Sequence, residues 1–272
     1  MSLLDGNPVP QGWYVDKTGP SLVDATVTCE LAGAKLELRN ADNVAVYAWV
    51  TDGTPYIIED IAPGWYTLVE VEAPDGYVTA APIAIEVKDI STLQSFSMYD
   101  EDTELKVRKV DAQTKESVAG VTLQIYHANA DGSRGAKYGG TIVTSLEDYV
   151  LRGIPVGNYL LVEEKASTGY AVADPVAFEV KNTASTQTVV MYDPGIRVEI
   201  SKKDITTHEE IAGAQLKIWT TNAAGNKDKI YASWTTDGTP YMIEKMPAGK
   251  YILEESVAAG ESHPLSMWHM SR

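Results

Sequence analysis

The sequence is short of the residues that most enzyme chemistry uses. It holds one cysteine (Cys29), two phenylalanines and four histidines in 272 residues. A single cysteine excludes an internal disulfide framework and a cysteine-based zinc site. The histidines, His127, His208, His263 and His269, have no metal-ligand spacing, so no metal and no cofactor is expected. No G-x-S-x-G, H-E-x-x-H or phosphate-loop pattern occurs. Bases are scarce as well: 22 Lys and Arg against 38 Asp and Glu leave a formal net charge of −16. That balance argues against nucleic acid or an anionic membrane as partner, and it favours solubility as a monomer. No apolar run approaches the ~18 residues of a membrane span, so no membrane insertion is expected. The opening MSLLDGNPVPQGW lacks a basic stretch followed by an apolar one, so no secretory signal is read there.

What the sequence has is repetition. ELAGAKLEL (30–38) returns as SVAGVTLQI (117–125) and EIAGAQLKI (210–218). WVTDGTPYIIEDIAPGWYTLVE (49–70) returns as WTTDGTPYMIEKMPAGKYILEE (234–255), with TSLEDYVLRGIPVGNYLLVE (144–163) as a weaker middle copy. FSMYD (96–100) returns as VVMYD (189–193). The spacing gives three tandem units of about 90 residues. Their expected bounds are a leader over 1–20, then domains over 21–102, 103–195 and 196–272, the last without its final strand. Within each unit apolar and polar residues alternate, with turn signals every 8–12 residues. The expected fold is all-β: three antiparallel β-sandwiches, Ig-like or prealbumin-like, joined by very short linkers into an elongated rod.

In a strand, residues i, i+2 and i+4 share a face. In the middle unit three inward stripes each end in a charge: Leu105, Val107, Lys109; Tyr159, Leu161, Glu163; Val189, Met191, Asp193. The third unit repeats two of them, ending in Lys202 and Glu255, and the first unit two, ending in Glu70 and Asp100. Isolated buried charges are expensive, so charges at matched inward positions should meet.

These residues carry a resemblance. K-x-D (Lys109–Asp111, Lys202–Asp204) is followed by (V/I)-A-G-(A/V), whose glycine falls eleven residues after the lysine. YTLVEVEAPDGY (66–77) matches an E-box, and VMYD (190–193) a reactive last strand. Together they resemble Cna protein B-type domains, also called SpaA-type or prealbumin-like, over residues 21 to about 258. Such domains occur in pilins and adhesins on Gram-positive cell surfaces, secreted and held at the cell wall. The resemblance implies a spontaneous isopeptide bond in the middle unit: Lys109 as nucleophile, Asp193 as acceptor, Glu163 as proton shuttle. That is a single self-crosslinking turnover and not an enzyme activity. It also implies a structural stalk whose partners are neighbouring domains of the same surface protein. The alternative is an adhesin module for a host extracellular protein or a glycan.

The outer units depart from the pattern. An ungapped alignment on the A-G motif puts Leu22 at the lysine position of the first unit, leaving Glu70 and Asp100 without a nucleophile; Lys17 lies out of register. The third unit has Lys202 and Glu255 but no matching Asp, which reads as a truncated end or as an acceptor for a strand from elsewhere. No L-P-x-T-G or Y-P-x-K motif occurs, so the chain reads as an internal stretch of a longer protein. Trp49 and Trp234, before matched T-D-G-T-P-Y turns, are expected to pack across strands more than to stack on sugars. Glu70 and Glu72, two apart on one strand, are expected to share a face without flanking a cleft.

Overall fold

A computed structural model describes residues 3–4, 7–8, 23–28 and 31–260. Among these there is no helix; apart from a short pair, Leu3–Leu4 with Asn7–Pro8, the strands fall into three consecutive groups that match the sequence repeats. The all-β sandwich reading therefore holds.

The middle domain is the most complete. A three-stranded sheet runs Tyr149–Arg152, Glu104–Asp111, Gln187–Asp193, and a four-stranded sheet runs Arg134–Val143, Thr122–Ala128, Gly157–Lys165, Val176–Val180. The alternating stripes face each other between the sheets, where Leu105, Val107, Leu123, Ile125, Tyr159, Leu161, Val189 and Met191 are buried. Hydrophobic burial of these stripes is the main driving force for stacking the sheets. The first domain repeats this plan, with Gln94–Ser97, Val23–Thr28, Tyr56–Ile61 against Ala45–Asp52, Ala32–Arg39, Gly64–Glu72, Ile83–Val87.

One pairing departs from the antiparallel expectation. In the first two domains the first and last strands run parallel: Val107 faces Val189 and Lys109 faces Met191, as Val27 faces Phe96. A parallel pair needs a long crossover, and nearly the whole domain supplies it.

The third domain is thinner among the described residues. Val198–Ile200 pairs with Tyr241–Ile243, and Ala212–Thr221 lies between Lys227–Asp237 and Tyr251–Val257. No described strand lies on the other side of Val198–Ile200. Leu253, on the inward stripe, is 52% exposed, where its counterpart Leu161 is fully buried. An open apolar groove of about 310 Å³, lined by Val198, Ile200, Ile218, Tyr251 and Leu253, marks that side.

Candidate crosslink site

The parallel pair and the E-box strand bring three side chains of the middle domain together. Lys109 Nζ lies 2.9 Å from Glu163 Oε2 and 3.0 Å from Asp193 Oδ1, and none of the three side chains reaches solvent. Glu163 Oε2 also accepts a hydrogen bond from the Ala173 backbone N–H at 2.8 Å. Glu163 Oε1 and both Asp193 oxygens have no hydrogen-bond partner; the lysine contacts Asp193 without hydrogen-bond alignment. Burial pushes the Asp193 carboxyl up to about 6 against the pull of Lys109, and the neighbouring Glu163 charge pushes the same way. A protonated Asp193 carbon is an electrophile within reach of an amine. Glu163, touching the amine and held by Ala173, is placed to relay a proton.

A local irregularity aims the glutamate. Leu123 pairs with Glu163, but the next residue, Thr122, pairs with Lys165, so one residue of the E-box strand is skipped. The same bulge follows Glu70 (Leu36 to Glu70, Lys35 to Glu72) and Glu255 (Leu216 to Glu255, Gln215 to Val257). A bulge re-aims side chains and ends the regular alternation. The expectation that Glu70 and Glu72 share a face is therefore corrected: Glu70 is buried, while Glu72 points to solvent and pairs with Lys35.

The K-x-D aspartate has a structural task. Asp111 Oδ1 accepts from the backbone N–H of Gln113 and Thr114 at 2.7 and 2.9 Å; Asp204 does the same with Thr206 and Thr207. Each closes the turn that follows the lysine strand.

In the first domain the acid half of the arrangement is intact. Glu70 Oε2 accepts from Ala80 N–H at 2.6 Å, the counterpart of the Glu163–Ala173 bond. Glu70 Oε1 and both Asp100 oxygens are buried without hydrogen-bond partners. Burial raises the pKa of both carboxyls, and the Asp100 charge raises Glu70 further.

The strand register corrects the position of the missing lysine. Val27 faces Phe96 as Val107 faces Val189, and Ala25 faces Ile58 as Leu105 faces Leu151. Counted two residues past Val27, the sequence position that matches Lys109 is 29 and not 22, and neither is among the described residues. In the third domain the same count from Val198 and Ile200 gives Lys202. The ungapped alignment failed because the loop before the A-G motif differs in length. Eleven residues separate Lys109 from Gly120, but four separate Cys29 from Gly33. Lys17, Leu22 and Cys29 themselves lie outside the described residues.

In the third domain Lys202 Nζ sits 3.0 Å from Glu255 Oε2, with both side chains about one-third exposed. The other sequence candidates are occupied by packing. Trp49 stacks on Tyr56 at 4.5 Å and Trp234 on Tyr241 at 4.3 Å. His127 lies against Tyr138 and Tyr159. His263 and His269 lie outside the described residues. Among the described residues no His, Cys, Asp and Glu group of three or more is arranged to hold a metal.

Tandem β-sandwiches, with a bulge after the E-box glutamate in all three and that glutamate buried in the first two, define a prealbumin-like repeat protein. The SpaA prealbumin-like fold domain matches the chain three times, over residues 21–102, 103–194 and 196–261, and the chain belongs to that family. Among solved structures it is similar to the TIE protein of Bacillus anthracis, with 24% identity over 87% of this chain and a TM-score of 0.45. This chain spans about half of that protein, 46% of its length. It is also similar to a streptococcal ancillary pilin (15% identity, 89% of this chain and 92% of that one, TM-score 0.41). A third similar structure is the shaft pilin SpaA of Lactobacillus rhamnosus GG (15% identity, 64% and 97%, TM-score 0.29). A search of curated protein sequences finds no match.

Proposed function

We propose that the chain is a structural stalk segment of a Gram-positive surface adhesin or pilus protein, exported and held at the cell wall. Its middle domain locks itself with a Lys109–Asp193 isopeptide bond. The observation that carries this is the Lys109–Glu163–Asp193 cluster, fully shielded from water, with the amine in contact with both acids. A purely structural ion pair gains little from such burial, because desolvation offsets the attraction. The condensation removes the charges altogether. Lys109 gives up protons to the acid pair through Glu163, Nζ bonds Asp193 Cγ, one Cγ–O bond breaks, and one water leaves. The fold holds the partners in contact, which supplies the effective concentration. Lys202 and Glu255 of the third domain form the same pair, with no Asp-bearing strand beside it among the described residues. The partners of the segment are neighbouring domains of the same surface protein. Family membership supports this reading.

Intact mass of the folded protein tests it. The expected value is one water below the sequence mass, returning to the full mass in Glu163→Gln or Asp193→Ala. The full sequence mass in well-folded protein refutes the bond.

A further inference from the structure

The two joints between domains share one design. At the first, Thr103 N–H donates to the Gly76 carbonyl at 3.0 Å, and Gly153 N–H donates to the Thr103 carbonyl at 3.0 Å. At the second, Ile196 N–H donates to the Gly169 carbonyl at 2.9 Å, and Met246 N–H donates to the Ile196 carbonyl at 3.0 Å. Gly76 and Gly169 are matched residues that end the E-box, and Gly153 and Lys245 are matched residues on a turn of the next domain; the donor at the second joint, Met246, lies one residue past that match. Both glycines have positive φ, 90° and 87°. A Cβ on either would run into the backbone carbonyl of residue 153 or 245. The glycines are thus required by backbone conformation and by close approach at once. Gly153 and Lys245 have positive φ as well, 68° and 55°, an uncommon backbone state for a lysine.

A linker held at one point leaves the next domain free to swivel. Each joint has a second contact away from the linker. At the first it is neutral: Thr79 N–H donates to Asn182 Oδ1 at 2.9 Å, and Asn182 Nδ2 donates to Thr79 Oγ1 at 2.8 Å. At the second it is ionic: Lys245 Nζ lies 2.8 Å from Asp111 Oδ2, which also accepts from the Tyr170 hydroxyl at 2.9 Å. The Lys245 ammonium lies 5.2 Å from the Tyr170 ring centre. Asp111 is 2% exposed, so its charge is paired across the joint and not in water.

We propose that the end of each E-box is a docking surface for the start of a following domain of the same kind, which fixes the orientation of consecutive domains. Lys245, Asp111 and Tyr170 form an ionic latch particular to the second joint. The lysine holds the Asp111 carboxyl well below the usual carboxylate range, and Asp111 in turn raises Lys245. The inference does not depend on the isopeptide bond, which has its own readout in mass.

Residual dipolar couplings on the full chain test it. In the unmodified protein the three domains are expected to share one alignment tensor. Lys245→Met and Tyr170→Phe are expected to reduce the alignment of the third domain relative to the second, leaving the first and second locked. Gly169→Ala is expected to uncouple the same joint; if it disturbs the fold of the middle domain, the two side-chain variants still decide. Asn182→Ala is expected to loosen the first joint alone. Added salt is expected to loosen the second joint, because Lys245 is 40% exposed, and to spare the neutral first one. Independent tensors in the unmodified protein overturn the docking surface. Unchanged coupling in both Lys245→Met and Tyr170→Phe overturns the latch.

Discussion

The first and middle domains carry the same buried glutamate, held by the same kind of backbone N–H and facing an aspartate, which ends the last strand in the middle domain and lies three residues past it in the first. Among the described residues they differ by one amine. With Lys109 present, both acids touch a cation. Without it, Glu70 and Asp100 face each other with oxygens unsatisfied and both pKa values raised by burial. The comparison teaches that the acid half of this site is part of the fold's scaffold, while the nucleophile is a local option set by one strand position.

The largest expected effect comes from breaking the middle site. Glu163→Gln or Lys109→Met should leave an uncrosslinked domain. By analogy with disulfide entropy, a closed loop of about 84 residues is worth roughly 4–5 kcal/mol. Thermal unfolding of the variant domain should drop accordingly, with the lost water restored to its mass. An unchanged melting temperature would show that the bond does not form in the parent.

The next test moves the option. Cys29→Lys should install a crosslink to Asp100, detected as a second missing water and as a branched peptide in a digest. Leu22→Lys should not. Crosslinking by the position-22 variant, and not by the position-29 variant, would overturn the register argument.

A smaller effect is expected from relieving the acid pair. Asp100→Asn should stabilise the first domain at neutral pH by about 1 kcal/mol, a rise of roughly 4–8 °C in melting temperature for a domain of this size. The sign follows from linkage: both carboxyls have folded pKa values above their unfolded ones. Their protonated forms favour the fold at low pH, and this contribution is lost as pH rises through the folded pKa values. Chemical denaturation of this domain at pH 4 and pH 7 checks it. Equal pH slopes for the parent and the Asp100→Asn variant would contradict the pairing.

The smallest expected signal concerns the third domain. A peptide TQTVVMYDPG, copied from residues 186–195, is expected to fill the open side beside Val198–Ile200 and join Lys202 slowly, since that lysine and Glu255 are about one-third exposed and wet. Denaturing electrophoresis should show a weak covalent shift that disappears in Lys202→Ala. No shift at high peptide concentration would end that reading.

Much of this was legible in the sequence because it rests on period two. The stripes ending in Lys109, Glu163 and Asp193 depend only on alternation, and alternation survives from sequence to fold. Four things escaped. The bulge after Glu70, Glu163 and Glu255 is a change in pairing that no side chain announces. The slot at position 29 was hidden by a length change in a loop, which strand pairing resolves and ungapped matching does not. The role of Ala173 is a backbone donor, for which residue type carries no information. The charged residues at the second joint, Lys245 and Asp111, come from different domains, and their meeting is a matter of tertiary geometry alone.

The parallel pairing of Glu104–Asp111 with Gln187–Asp193 has a mechanical consequence. The chain enters the middle domain at one end of this pair and leaves just past the other, so tension along the molecule loads all the ladder bonds together and does not unzip them singly. With Lys109 joined to Asp193, the load path runs from the entering strand straight through the crosslink to the exit. The intervening chain, ~280 Å if fully drawn out, stays out of the path. Pulled in series, the first domain would lengthen and the middle one would not, so the molecule would give a graded response: one extensible link beside one of fixed length.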